Sequence, residues 1–127
     1  MKLRILFPVF CFLTLVIACD NSDGNDRTPV EYRLLNGNNN ISSITFTGAN
    51  GQPATVATAN LTNNWTQKIW VVQPFTASAT VALSNPRGSD SEYVLQIYKR
   101  NNLLATVVDT LGAASDTTAS ISVSVSN

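Results

Sequence analysis

The chain has 127 residues, with eight basic and eight acidic groups, no histidine and two cysteines. That length points to one domain. A formal net charge of zero leaves no electrostatic footprint for nucleic acid, and the missing histidine removes the commonest general base and the commonest transition-metal ligand.

Lys2 and Arg4 stand at the start, and residues 5–17 are almost unbrokenly apolar before Ala18 and Cys19. A basic flank, a short apolar stretch and a small residue ahead of the cut read as a secretory signal over 1–18. The stretch is shorter than the ~20 residues of a membrane span. Val16-Ile17-Ala18-Cys19 resembles the bacterial lipobox, with Val16 where leucine is usual and Ile17 bulkier than the common serine or alanine. The resemblance implies that Cys19 becomes the acylated first residue of the mature protein. Cys11 leaves with the signal, so the folded part is expected to hold no disulfide, no thiol chemistry and no cysteine metal site.

One fatty chain gives only marginal membrane residence, at ~0.8 kcal/mol per buried CH₂, whereas the two or three chains of a bacterial lipoprotein make it stable. The expected location is therefore the cell envelope, as an outer-membrane lipoprotein facing the periplasm or the outside. Residues 19–29 comprise the lipid site and a polar tether without an aliphatic side chain, which cannot bury anything. The tether's aspartates, Asp20, Asp23 and Asp26, fail the EF-hand spacing. Acids directly after the cysteine resemble both a surface-display signal and an inner-membrane retention signal, so the leaflet stays open.

Residues 30–127 are expected to form one β domain. Val30, Tyr32 and Leu34 alternate with Glu31 and Arg33; Ile44 and Phe46 alternate with Ser43, Thr45 and Thr47. Asn50-Gly51 between such runs predicts a type I′ hairpin turn, with a returning strand over 54–59 and a polar turn over 60–64. A strand over 65–73 closes at Pro74, and another follows over 78–84. Asn85-Pro86-Arg87-Gly88 is a turn. The strand over 92–99 returns through a tight Arg100-Asn101-Asn102 hairpin to a strand over 103–108. Residues 109–116 read as a loop. In the last strand Ala119, Ile121, Val123 and Val125 alternate with Ser120, Ser122, Ser124 and Ser126, one face for a core and one for water. Short strands at near-regular spacing predict an all-β, immunoglobulin-like antiparallel β-sandwich of about seven to eight strands, with pairing between sequence neighbours as the default.

Val30-Glu31-Tyr32-Arg33, Ile44-Thr45-Phe46-Thr47 with the Asn50-Gly51 turn, the 61–68 segment containing Trp65, and Tyr93-Val94-Leu95-Gln96-Ile97-Tyr98 with its hairpin to Leu103 together resemble the MmpS family. These are membrane-anchored extracytoplasmic proteins with an immunoglobulin-like sandwich. The resemblance implies an accessory role beside a membrane transporter. The chain departs from the family pattern in carrying a lipid anchor rather than a transmembrane helix, in the additional Trp70, and in lacking the cysteine pair of some members.

Catalytic groups are sparse. Asp90 and Glu92 share parity beside a turn, but a solvated turn explains them better than the paired carboxylates of a glycosidase. No histidine exists to activate a serine, and no Gly-x-Ser-x-Gly elbow, phosphate loop or zinc spacing occurs. The expectation is a non-enzyme without metal or cofactor. Trp65 and Trp70 differ by five positions and so point to opposite faces of one strand. Trp65 is assigned inward. Trp70, and Tyr98 on the less apolar face of its own strand, form a candidate ligand platform for a glycan or an envelope protein; packing on the sheet surface is the competing reading. Asp109-Thr110-Leu111 and Asp116-Thr117-Thr118 resemble a bacterial O-glycosylation acceptor, which makes Thr110 and Thr117 candidate glycan sites.

Overall fold

A computed structural model describes residues 26–37 and 40–127. The expected signal, Cys19 and most of the tether lie outside the described residues. The period-two sequence becomes β1 (Thr28–Leu35), β2 (Ile41–Thr47), β3 (Pro53–Thr55), β4 (Trp65–Val71), β5 (Phe75–Asn85), β6 (Ser91–Lys99), β7 (Asn102–Leu111) and β8 (Ser115–Val125), with a 3₁₀ turn at Thr58–Asn60. Sheet 1 has the order β4-β1-β6-β7 and sheet 2 the order β3-β2-β5-β8, and every pairing is antiparallel. The described residues form an all-β antiparallel sandwich of two four-stranded sheets.

Pairing between sequence neighbours holds only in the β2–β3 and β6–β7 hairpins; every other connection crosses from one sheet to the other. The reason lies in the alternation itself. Each strand carries one apolar face, and crossing over lets two such faces bury each other.

Several boundaries differ from the sequence expectation. β1 begins at Thr28, inside the stretch read as tether. Thr28 is fully buried, stands opposite Val71 of β4 and accepts a hydrogen bond from Gln73 Nε2; Gln73 lies just past β4, which ends at Val71 rather than at the expected residue 73. The strand expected over 54–59 shrinks to Pro53–Thr55. Beyond it the backbone turns on itself, with Asn60 N–H donating to Ala57 C=O at 2.8 Å.

The Asn50-Gly51 turn is not type I′. Gly51 alone takes positive φ, at 77°, while its N–H donates to Gly48 C=O and Gly48 N–H donates to Gln52 C=O. That is the three-residue hairpin loop with a left-handed glycine at its end. The two-residue turn with both φ values positive occurs instead at Arg100 (47°) and Asn101 (69°), between the paired Lys99 and Asn102. Residues 109–116 are mostly strand: β7 runs through Leu111 and β8 starts at Ser115. Long pairing with β6 and β5 overrides the polar composition there. β5 likewise starts at Phe75 and pairs with β8 along its whole length.

The core joins the inward faces of both sheets. Tyr32 and Trp65 from sheet 1 meet Phe46 from sheet 2, with ring centroids 5.3 Å and 5.7 Å apart. Such aromatic pairs add ~0.5–1.5 kcal/mol beyond area burial. The buried Tyr32 hydroxyl donates to Thr47 C=O at 2.8 Å, so its polar end is satisfied across the sandwich. At the far end the buried Asn85 donates from Nδ2 to Ser89 C=O at 2.9 Å, Leu111 C=O at 3.3 Å and Gly112 C=O at 3.2 Å. Its Oδ1 accepts the Arg87 N–H at 3.1 Å. One amide thus pins the 86–90 turn to the β7–β8 corner.

Candidate functional site

The two outward faces differ in chemistry. On sheet 2 one row across the strands reads Thr55, Thr45, Thr80 and Ser120. Hydroxyl pairs close over it: Thr80 with Ser120 at 3.0 Å, and Thr47 with Ser78 at 2.7 Å. Among the described residues this face carries one charge, Asp116 near the start of β8, and offers no aromatic ring.

Sheet 1 is the opposite. Its outward row through Lys68, Glu31, Tyr98 and Leu103 spans all four strands. Trp70 stands opposite Pro29 at one end; Leu35, Val94 and Val108 form an apolar row toward the other. Among the described residues, the large apolar side chains left exposed are all on this sheet or its continuation: Trp70 at 54%, Val72 at 46%, Leu103 at 47% and Val108 at 57%.

Glu31 organises the middle. Arg33 Nε donates to its Oε1, and Lys68 Nζ lies 3.7 Å from its Oε2. The Arg33 guanidinium also lies over the Tyr98 ring, 4.2 Å from its centroid. The Glu31 hydrogen bond raises the Arg33 pKa further above its ordinary value, so the group is a fixed cation. The Tyr98 hydroxyl donates to Gln96 Oε1 at 3.3 Å.

Trp65 is inward, at 4% exposure, and Trp70 outward, as strand parity requires. Trp70 and Tyr98 share the outward face of sheet 1, but β1 lies between the strands that carry them, and one face of Tyr98 is already covered by Arg33. The exposed aromatic with room beside it is Trp70. It lines a concavity of about 230 Å³ with Pro29, Glu31, Lys68, Arg100 and Asn101. A larger neutral cleft of about 570 Å³ lies between the 3₁₀ turn and β4, with Asn60, Asn64 and Gln67 at its rim and Phe46 and Trp65 at its floor; the sequence reading missed it.

The candidate glycan acceptors occupy different settings. Thr110 is exposed near the end of β7, whereas Thr117 is half-buried, opposite Leu83 on the inward side of β8. Asp90 accepts the Ala113 N–H at 3.0 Å and so braces a turn. Among the described residues no group of three or more acids, cysteines or histidines could hold a metal ion, and no helix is long and apolar enough to cross a membrane.

The Glu31–Arg33–Lys68 cluster was not legible in the sequence, because Lys68 reaches Glu31 only through the β1–β4 register. The parity of Glu31, Arg33 and Tyr98 was the available hint. No protein-family model matches the chain, and no curated protein matches it by sequence.

Proposed function

We propose that the chain is a lipid-anchored, non-catalytic protein of the cell envelope whose sandwich serves as an accessory or binding module, presenting sheet 1 to a partner. The observation that carries this reading is the asymmetry of the two outward faces. Exposed apolar side chains are costly to keep in water and scattered ones carry little meaning alone; among the described residues the four large ones all lie along the two edges of sheet 1, Trp70 and Val72 at β4 and Leu103 and Val108 on β7, while the outward face of sheet 2 presents mainly hydroxyls. The resemblance to the MmpS family suggests a membrane transporter as the partner.

A photo-crosslinking residue at Leu103 or Val108 tests it, with Ser120 on sheet 2 as the control, in cells fed labelled palmitate. The expected result is palmitate on the wild type, none on Cys19→Ser, and crosslinks to a transporter subunit from sheet 1 only. Crosslinks from Ser120 alone overturn the face assignment, and an unlabelled wild type overturns the anchor.

The concavity beside Trp70 supports a second reading, a module that holds carbohydrate. Stacking on an indole with polar groups around the rim is a common way to hold a sugar ring. Glycan-array binding lost on Trp70→Ala distinguishes it from the first.

A further inference from the structure

The described charges are segregated along the strand direction. At the end where β1 begins stand Arg27, Lys68 and Arg100, all exposed, with Lys99 beside them donating to Ser126 C=O. The described acids there are Asp26 and Glu31, and Glu31 is already held by Arg33 and Lys68; Asp20 and Asp23 stand ahead of Asp26 in the sequence of the tether. The opposite end carries Asp90, Glu92, Asp109 and Asp116, all exposed, against Arg87. The registers fix this polarity: Thr28 pairs with Val71, Val30 with Lys99, Ser91 with Leu111, and Asn85 with Ser115. The exposed Trp70 and Val72 lie at the basic end.

The tether enters at that same end. Arg27 precedes β1 directly, and Trp70 pairs with Pro29, two positions on. Cys19 lies eight peptide steps before Arg27. At roughly 3.5 Å per step this limits the span to under about 30 Å, so acyl chains on Cys19 would hold the basic end close to the bilayer.

We infer that the end of the sandwich carrying Arg27, Lys68, Trp70, Val72 and Arg100 docks against an anionic phospholipid surface. The inference rests on the reading that Cys19 is acylated. Each part matches the chemistry of a headgroup layer. Indole rings favour the membrane–water interface. Lysine and arginine near an anionic leaflet are attracted within a Debye length, ~8–10 Å. The concavity lined by Glu31, Lys68, Trp70 and Arg100 has room for a headgroup phosphate beside its two cations, the Glu31 carboxylate being already engaged by Arg33 and Lys68. The acidic end is repelled by the same surface and so turns outward, which sets the orientation of both sheet faces relative to the membrane.

The test uses the full acylated protein in phosphatidylcholine vesicles, with and without phosphatidylglycerol, part of the lipid brominated in the upper acyl chain. Flotation reads the anchor, and tryptophan quenching reads the docking. In anionic vesicles the wild type is expected to float and to be quenched. Trp70→Phe should float with its remaining Trp65 emission unquenched. Lys68→Ala or Arg100→Ala should weaken docking about fivefold each, and salt should do the same. Flotation without quenching, or quenching that persists in Trp70→Phe, overturns the docking while leaving the anchor standing. A wild type that does not float refutes the anchor, and the docking with it.

Discussion

The Arg33 guanidinium sits 4.2 Å from the centre of the Tyr98 ring while its Nε donates to Glu31. One side chain therefore ties β1 to β6 on the outward face of sheet 1, across a register in which Glu31 stands opposite Tyr98. The contact organises the face rather than holding the fold, because all three groups remain partly solvated.

Arg33→Met is accordingly expected to lower stability by only about 0.5–1 kcal/mol. Urea unfolding of the variant and the wild type measures it, and high salt should narrow the gap. A loss several times larger would mean that the cluster is structural.

The two tryptophans should separate cleanly. Trp65→Ala removes the indole that packs on Phe46 and is expected to cost about 3–5 kcal/mol. Trp70→Ala, on the exposed face, should stay within about 0.5 kcal/mol of the wild type. Equilibrium denaturation of both variants checks the contrast.

Asn85→Ala leaves the carbonyls of Ser89, Leu111 and Gly112 without their shared donor. The expected cost is about 1–3 kcal/mol, with the local effect seen as faster hydrogen exchange in the 86–90 turn and at the β7–β8 corner. Asn85→Asp should be worse at neutral pH, since a carboxylate would face carbonyl oxygens.

Stability should fall at high pH. Burial is the main cause that pushes the Tyr32 hydroxyl up from 10.0 to about 12, against the lowering effect of its bond to Thr47. Burial, and then the nearby Asp109 charge, raise Tyr93 as well. Above pH ~10 the unfolded chain releases the tyrosine proton that the folded state keeps, so folding binds protons and loses stability as pH rises. The contribution is complete below pH ~10 and is lost progressively toward pH ~12. Denaturation midpoints measured across that range should decline, and Tyr32→Phe should flatten the decline at a cost of about 1 kcal/mol from the lost hydrogen bond.

Glycosylation at the two candidate acceptors should be unequal if it occurs on the folded protein. Thr110 is exposed, whereas Thr117 is half-buried on the inward side of β8. Intact-mass measurement of native protein is expected to show an adduct that Thr110→Ala removes and Thr117→Ala leaves in place. An unmodified mass overturns both acceptor assignments.

The alternation of Val30, Tyr32 and Leu34, of Tyr93, Leu95 and Ile97, and of Ile121, Val123 and Val125 was enough to establish strands and their inward faces. A period of two admits no other regular structure with one buried side. The same parity put Trp65 inside and Trp70 outside. The absence of histidine, the apolar stretch ahead of Cys19 and the polar residues after it are equally properties of the chain alone.

Which strands become neighbours was decided only in three dimensions. Alternation marks a face without naming the strand that will lie beside it, and burying two sheets against each other favoured crossovers over successive hairpins. Hence Lys68 meets Glu31, Thr28 is buried opposite Val71 of β4, and most of residues 109–116 become strand by pairing with β6 and β5. Hence also the charges, scattered along the sequence, separate into a basic end beside the tether and an acidic end away from it.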